Sequence, residues 1–110
     1  MTVTNAVAEK VIVRGIIIKT AFLGPTNYKG SRVTASHKRD NEKTYRATIE
    51  WRHDCDAAQN HARAAQTLVN VINKDRRSTF VDLGIEPPAN LEIVGEGWDN
   101  DNYFFMAALP

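Results

Sequence analysis

Hydrophobic and polar positions alternate with a period of two in the first half of the chain, switch to a period of 3.6, and then return to two. Residues 10–23 read as a first strand, because Val11, Ile12, Val13, Ile16, Ile17 and Ile18 give it the β-branched character that strands favour. Gly15 interrupts this run and marks a bulge or a close backbone approach. Apolar residues fall on both faces around Gly15, which predicts a central strand or one at an oligomer interface. Arg32 to His37 alternates polar with small apolar residues, as a half-buried strand does. From Thr44 to Trp51 the alternation is cleaner. Tyr45, Ala47, Ile49 and Trp51 share one face, and Thr44, Arg46, Thr48 and Glu50 share the other. The charged stretch from His37 to Lys43 between these two strands predicts an antiparallel hairpin. Residues 1–9 alternate weakly and are expected to form a mobile arm or a short edge strand.

The 3.6 period is carried by Ala58, His61, Ala62, Ala65, Leu68, Val69 and Ile72. Asp56 followed by Gln59 has the spacing of a capping box, so a helix is predicted over about 56–73. Lys74, Arg76 and Arg77 would lie just past its C-terminal end, where cations are favoured. Thr79-Phe80-Val81 could add a short strand before Gly84 and Pro87-Pro88 force a loop. Leu91 to Val94 and Tyr103 to Met106 read as two further strands, joined by the Gly-, Asn- and Asp-rich turn at 95–102. The order β-β-β-α-β-β predicts an α+β fold, with an antiparallel sheet of about five strands and one helix packed on one face.

At 110 residues the chain is long enough for one compact domain and too short for two. With 43% hydrophobic and 25% charged residues it has an ordinary globular composition. A formal net charge of +1 creates no global field toward nucleic acid, so polyanion binding would need a local patch. The single cysteine, Cys55, excludes an internal disulfide framework and points to a reducing cytoplasm. The N-terminus lacks the pattern of a secretory signal, and the longest apolar run is far too short to span a membrane.

Candidate chemistry concentrates in the loop between the first two strands. Thr26, Asn27, Tyr28, Lys29, Gly30, Ser31 and Arg32 combine hydroxyls, an amide, two cations and a glycine, which is the chemistry of an anion-binding loop. The bland alternative is a hairpin turn with solvated cations. In the late turn, Trp98 could stack on a base while Asn100 reads its edge, against the alternative of an ordinary Asx-rich turn. Cys55 near His53 and His61 could suit a nucleophile or a metal. Asp54 and Asp56 disfavour the thiolate, and three groups at this spacing match no standard zinc motif, so no catalytic or metal residue is assigned. His61, on the apolar stripe, reads as a satisfied core histidine. The basic clusters Lys38, Arg39, Lys43 and Lys74, Arg76, Arg77 are interrupted by carboxylates and read as solvated surface.

The run Lys19-x-x-Phe22-Leu23-Gly24-Pro25-Thr26-Asn27-x-x-Gly30-Ser31-Arg32-Val33, with His61-Ala62-x-x-Ala65 and Tyr103-Phe104-Phe105, resembles a family of short accessory proteins encoded by phages and mobile elements. The resemblance spans roughly residues 17–107. The chain departs from it by a longer charged hairpin at 38–44 and an extended stretch at 74–90. Small phage proteins of this size often counter host defence, and one class, the anti-Thoeris sponges, sequesters cyclic nucleotide signals without cleaving them.

The functional expectation is a non-enzymatic binder of a small phosphorylated ligand, such as a cyclic nucleotide immune signal. It would need no cofactor and act in the cytoplasm as a homodimer or larger assembly. Thr26, Ser31 and glycine amides would hold phosphate, Lys29 and Arg32 would neutralise it, and Tyr28 or Trp98 would stack a base. The alternatives are an inhibitor or adaptor that binds a host defence protein, and a single-stranded nucleic-acid binder using Arg32, Arg46 and Thr48 on the sheet face. The near-neutral net charge disfavours the last of these.

Overall fold

The computed structural model describes residues 12–39 and 43–110. The expected arm at 1–9, the first two residues of the predicted first strand and the centre of the first hairpin turn lie outside the described residues. Strands β1 (Ile16–Leu23), β2 (Arg32–Arg39) and β3 (Lys43–Glu50) are followed by helix α1 (Ala57–Asp82), β4 (Glu92–Trp98) and β5 (Tyr103–Ala108). The strands form one five-stranded sheet in the order β3-β2-β1-β5-β4, and every pairing is antiparallel. This is the expected α+β architecture with one helix, and β1 is indeed central.

The chain preceding β1 is not strand at residues 12–15, so β1 starts at Ile16 rather than at residue 10. At Gly15 the chain runs close against β5: a Cβ there would overlap the carbonyl oxygen of Ala107 and crowd the Ala108 side chain at 3.0 Å. Of the two expected alternatives at Gly15, a bulge or a close backbone approach, the structure has the close approach. Gly15→Ala should therefore destabilise the domain by about 2 kcal/mol, the range for forced overpacking. Urea unfolding checks this, and an unchanged midpoint would refute it.

The amphipathic alternation places Ile18 on β1, Val33 and Ala35 on β2, Tyr45 on β3, and Phe105 and Ala107 on β5 under the helix. Ala64, Ala65, Leu68, Val69 and Ile72 close the core from above. The alanines on the helix stripe let the backbone lie close to the sheet. At the helix N-terminus the predicted capping box is present. Asp56 accepts from the Gln59 amide at 2.8 Å, and Gln59 Oε1 accepts from the Asp56 amide at 2.9 Å.

The helix does not end near 73. It runs to Asp82, so Lys74, Arg76 and Arg77 lie within it, and Thr79-Phe80-Val81 is helical rather than a strand. The apolar stripe stops at Ile72 because the sheet stops there, whereas the local helix-stop signal is Gly84. Gly84, at φ +71°, donates to Val81 O at 3.0 Å, and Ile85 donates to Phe80 O at 3.0 Å. These two bonds form a Schellman motif. A helix of 26 residues is about 39 Å long, against about 26 Å for an eight-residue strand. The last turns therefore project past the sheet. Asn73 ties the return chain back, donating to Leu91 O at 3.0 Å and accepting from Leu91 N at 2.8 Å.

Candidate functional site

The loop between β1 and β2 is shaped by Thr26. Its Oγ1 accepts from the amides of Tyr28 at 3.3 Å and Lys29 at 3.0 Å, while its own amide donates to Lys29 O at 2.7 Å. Such a hydroxyl turn is a local alternative to a backbone turn. The turn thus engages the amides of Tyr28 and Lys29, and not the glycine amides expected to hold phosphate. Thr26 is thus the fastener of the loop, and neither it nor Asn27 borders the adjacent cleft.

Tyr28, Lys29, Gly30, Ser31 and Arg32 do come together, along one wall of a cleft of about 490 Å³. Glu50, Trp51 and His53 form the opposite wall. The hairpin register brings the walls together: Arg32 lies across from Glu50, and the Trp51 amide donates to Ser31 O at 3.0 Å. Glu50, Trp51 and His53 join the site only through this register, for which no local signal in the sequence stands. Tyr28 is 95% exposed, so its ring is a free stacking surface rather than a core residue. Lys29, Arg32 and His53 supply N–H donors to the cleft, and Glu50 supplies an acceptor. Among the described residues none of these groups is in an ion pair, and Arg32 Nε is buried without a hydrogen-bond partner.

Trp98 and Asn100 are not part of this cleft. Trp98 ends edge strand β4, is 73% exposed and pairs with Tyr103, on the helix side of the sheet. The turn beyond it is built by Asp99, whose carboxylate accepts from the amides of Asp101 and Asn102 at 2.8 Å each. Those two bonds hold the Asp99 carboxyl below its usual range. The turn chemistry accounts for the Asx-rich sequence.

The wall carrying Trp51 and His53 is held by the start of the helix. Arg52 and Asp54 form an exposed ion pair, which lowers the Asp54 pKa and raises that of Arg52. Asn60, fully buried, accepts from the Arg52 amide at 2.9 Å and donates to Arg52 O at 2.9 Å, Asp56 O at 3.1 Å and Cys55 O at 3.3 Å. One turn of helix thus braces the whole 52–56 segment. His61, 5% exposed, stacks on Tyr103 with ring centroids 4.3 Å apart and meets the Trp51 ring edge-on at 6.1 Å. Its Nδ1 lies 2.6 Å from Thr20 Oγ1, whose own hydroxyl can donate onward to Tyr103 O at 3.4 Å. His61 is therefore a hydrogen-bonded core histidine, and it positions Trp51 from behind. Cys55 is a free thiol, and among the described residues no three His, Cys, Asp or Glu side chains are grouped to hold a metal.

A larger cleft of about 780 Å³ opens under the projecting end of the helix. Its polar groups are partly engaged with one another: Asp75 accepts from the Tyr45 hydroxyl and pairs with Lys43 at 3.5 Å, contacts that lower the Asp75 pKa. Its walls are mainly apolar, and Val13 and Arg14, which precede β1, border it.

Among the described residues no helix is long and apolar enough to cross a membrane. No family model, no curated protein and no solved structure matches this chain.

Proposed function

We propose that the domain binds a small phosphorylated ligand carrying an aromatic base, a nucleotide, in the cleft beside the β1–β2 loop, and sequesters it without turnover. One observation carries the reading: Tyr28 and Trp51 stand with Lys29, Arg32 and His53 around a single cleft of nucleotide size, about 490 Å³. Small-ligand sites typically occupy roughly 300–1,000 Å³ and combine aromatic walls with a few convergent polar groups. Lys29 and Arg32 would neutralise phosphate, with the Arg32 fork giving a directional contact. Tyr28 would close over the base, and Glu50 would accept from a base N–H or a sugar hydroxyl. The phage-protein resemblance favours a cyclic nucleotide signal as the natural form. Capture by mass action then depends on slow release rather than on rate of chemistry.

Calorimetric titration of the full chain with ATP, cyclic di-GMP and pyrophosphate tests the reading. At least one base-bearing probe should bind more tightly than pyrophosphate. Arg32→Ala should weaken that probe about 10- to 100-fold, the loss of a charge-assisted contact of roughly 1.5–3 kcal/mol. Its melting temperature should stay within about 2 °C of wild type, because the side chain is only half buried. Native mass spectrometry should recover the bound probe at intact mass. Equal affinity of wild type and Arg32→Ala for every probe would remove the cleft assignment.

A further inference from the structure

The sheet has a second face, which no helix covers among the described residues. By register, β2 presents Arg32, Thr34, Ser36 and Lys38 there, opposite Glu50, Thr48, Arg46 and Thr44 of β3. Lys19 of β1 stands across from Ser36 on the same face. Arg32, Lys38, Arg46 and Lys19 thus share one surface with a row of hydroxyls, and Glu50 is the one carboxylate of β1–β3 among them. Among the described residues none of these four cations is in a salt bridge. The net charge of +1 conceals this segregation, because the other described carboxylates lie on the helix, the turns and edge strand β4, where Glu92, paired with Ala108, shares the face but is separated from β2 by β1 and β5.

The face is also grooved, for a reason visible in the ladder. β1 and β2 are paired only as far as Lys19 and Ser36. Beyond that point the carbonyl of Ile17 accepts from His37 Nδ1 at 2.8 Å instead of from the neighbouring backbone. The parted strands leave a groove of about 680 Å³ bordered by Lys19, Ser36, Lys38, Thr44 and Arg46. Arg32 belongs both to this face and to the loop cleft, so groove and cleft are two ends of one track. Three two-residue steps from Arg32 to Lys38 span about 20 Å. Beside the cations, β5 turns Phe104 to the same face, with Lys19 and Gly97 as its cross-strand neighbours. Gly97 has no side chain to cover the ring.

We propose that this open face binds single-stranded nucleic acid: the phosphates follow Arg32, Arg46, Lys38 and Lys19, a base stacks on Phe104, and the loop cleft takes one nucleotide of the strand. The inference rests on the nucleotide reading of the cleft and extends its ligand from one nucleotide to a short strand. Cations that track the backbone and an aromatic platform for bases are the two elements that single-strand binding requires.

The test is fluorescence anisotropy of the full chain with labelled dT3, dT6 and dT12, a labelled mononucleotide, and a 12-base-pair duplex. Wild type should bind dT12 at least 10-fold more tightly than the mononucleotide and more tightly than the duplex. Lys38→Glu/Arg46→Glu, both outside the cleft, should lose at least 10-fold for dT12 and leave the mononucleotide unchanged. The slope of log K against log salt should become shallower by about 0.7 for each phosphate contact removed. Phe104→Leu should weaken dT12 several-fold, and an abasic 12-mer should bind both proteins alike. If dT12 binds no better than the mononucleotide, or the double variant binds dT12 as wild type does, the track is overturned and the cleft reading survives. Tighter binding of the duplex overturns the single-strand assignment. If the mononucleotide fails and dT12 still binds through Lys38 and Arg46, the cleft reading falls and the track stands.

Discussion

Replacing Asn60 with Ala should cost the domain about 3 kcal/mol and lower its melting temperature by roughly 10–20 °C. The side chain is fully buried and serves Arg52, Cys55 and Asp56 through four contacts, with a further bond from Arg63 to its Oδ1 at 3.0 Å. Alanine can make none of these bonds. The Arg52 amide and the Cys55 carbonyl would lose their partner at the edge of the core, while the Arg52 carbonyl keeps only the Cys55 amide at 3.2 Å, and stranded backbone groups are costly. The consequence reaches the cleft, because the 52–56 segment carries His53 and follows Trp51. Nucleotide affinity should therefore fall together with stability, even though Asn60 does not border the cleft. Differential scanning calorimetry checks the first effect. Gln66→Ala is the control: Gln66 is exposed, pairs only with Asn70 at 2.9 Å, and should change stability by less than about 0.5 kcal/mol. A loss below about 1 kcal/mol for Asn60→Ala would refute the bracing role.

The second large effect is expected on acidification. Burial holds the His61 pKa below its ordinary value of 6.5, so the native state keeps the ring neutral between Thr20, Tyr103 and Trp51. The unfolded chain takes up this proton near pH 6.5, and therefore binds more protons than the native state just below that pH. Stability from this group is fully present above pH 6.5 and is lost as the pH falls toward the lower folded value. The limiting slope for one proton is about 1.4 kcal/mol per pH unit. Asp54, Asp75 and Asp99 have pKa values lowered from 3.8, so their contributions are lost only in more acidic solution. Chemical denaturation of wild type and His61→Phe between pH 7.5 and 5 separates the terms, since Phe retains a ring against Tyr103 but cannot titrate. The two proteins should converge in stability as the pH drops. Parallel curves would show that His61 is not the group responsible.

Much of the fold was legible in the residues because each signal was local. Tyr45, Ala47, Ile49 and Trp51 alternate as a half-buried strand must, and Tyr45 is buried while Ala47, Ile49 and Trp51 pack on the core. Asp56 and Gln59 wrote the helix start, and both reciprocal bonds are made. The helix end was misplaced because two local signals disagreed. The apolar stripe ends at Ile72, while the stop residue is Gly84, and the backbone obeys Gly84. A stripe reports where a helix is covered, and a left-handed glycine reports where it stops.

The candidate site divides along the same line. The cations, hydroxyls and aromatic ring of the block from Tyr28 to Arg32 were visible in the sequence, and those five residues do line one cleft. Thr26 was read as a ligand donor because a hydroxyl beside a glycine-rich turn looks the same whether it faces a ligand or its own backbone. Only the fold shows that it accepts from Tyr28 and Lys29. Trp98 and Asn100 were grouped with the loop by chemistry alone, and the strand order separates them, since β5 and β4 extend the sheet away from the cleft.

By itself, then, the sequence determined the period of each segment, the cap, the two-faced apolar character of β1 and the composition of the loop, all of which depend on neighbours within a few residues. Tertiary structure alone decided that Glu50, Trp51 and His53 face Arg32, that Gly15 must admit the backbone of Ala107, and that Lys19, Arg32, Lys38 and Arg46 share one face. These depend on strand register, in which a shift of one residue would turn every side chain to the opposite face.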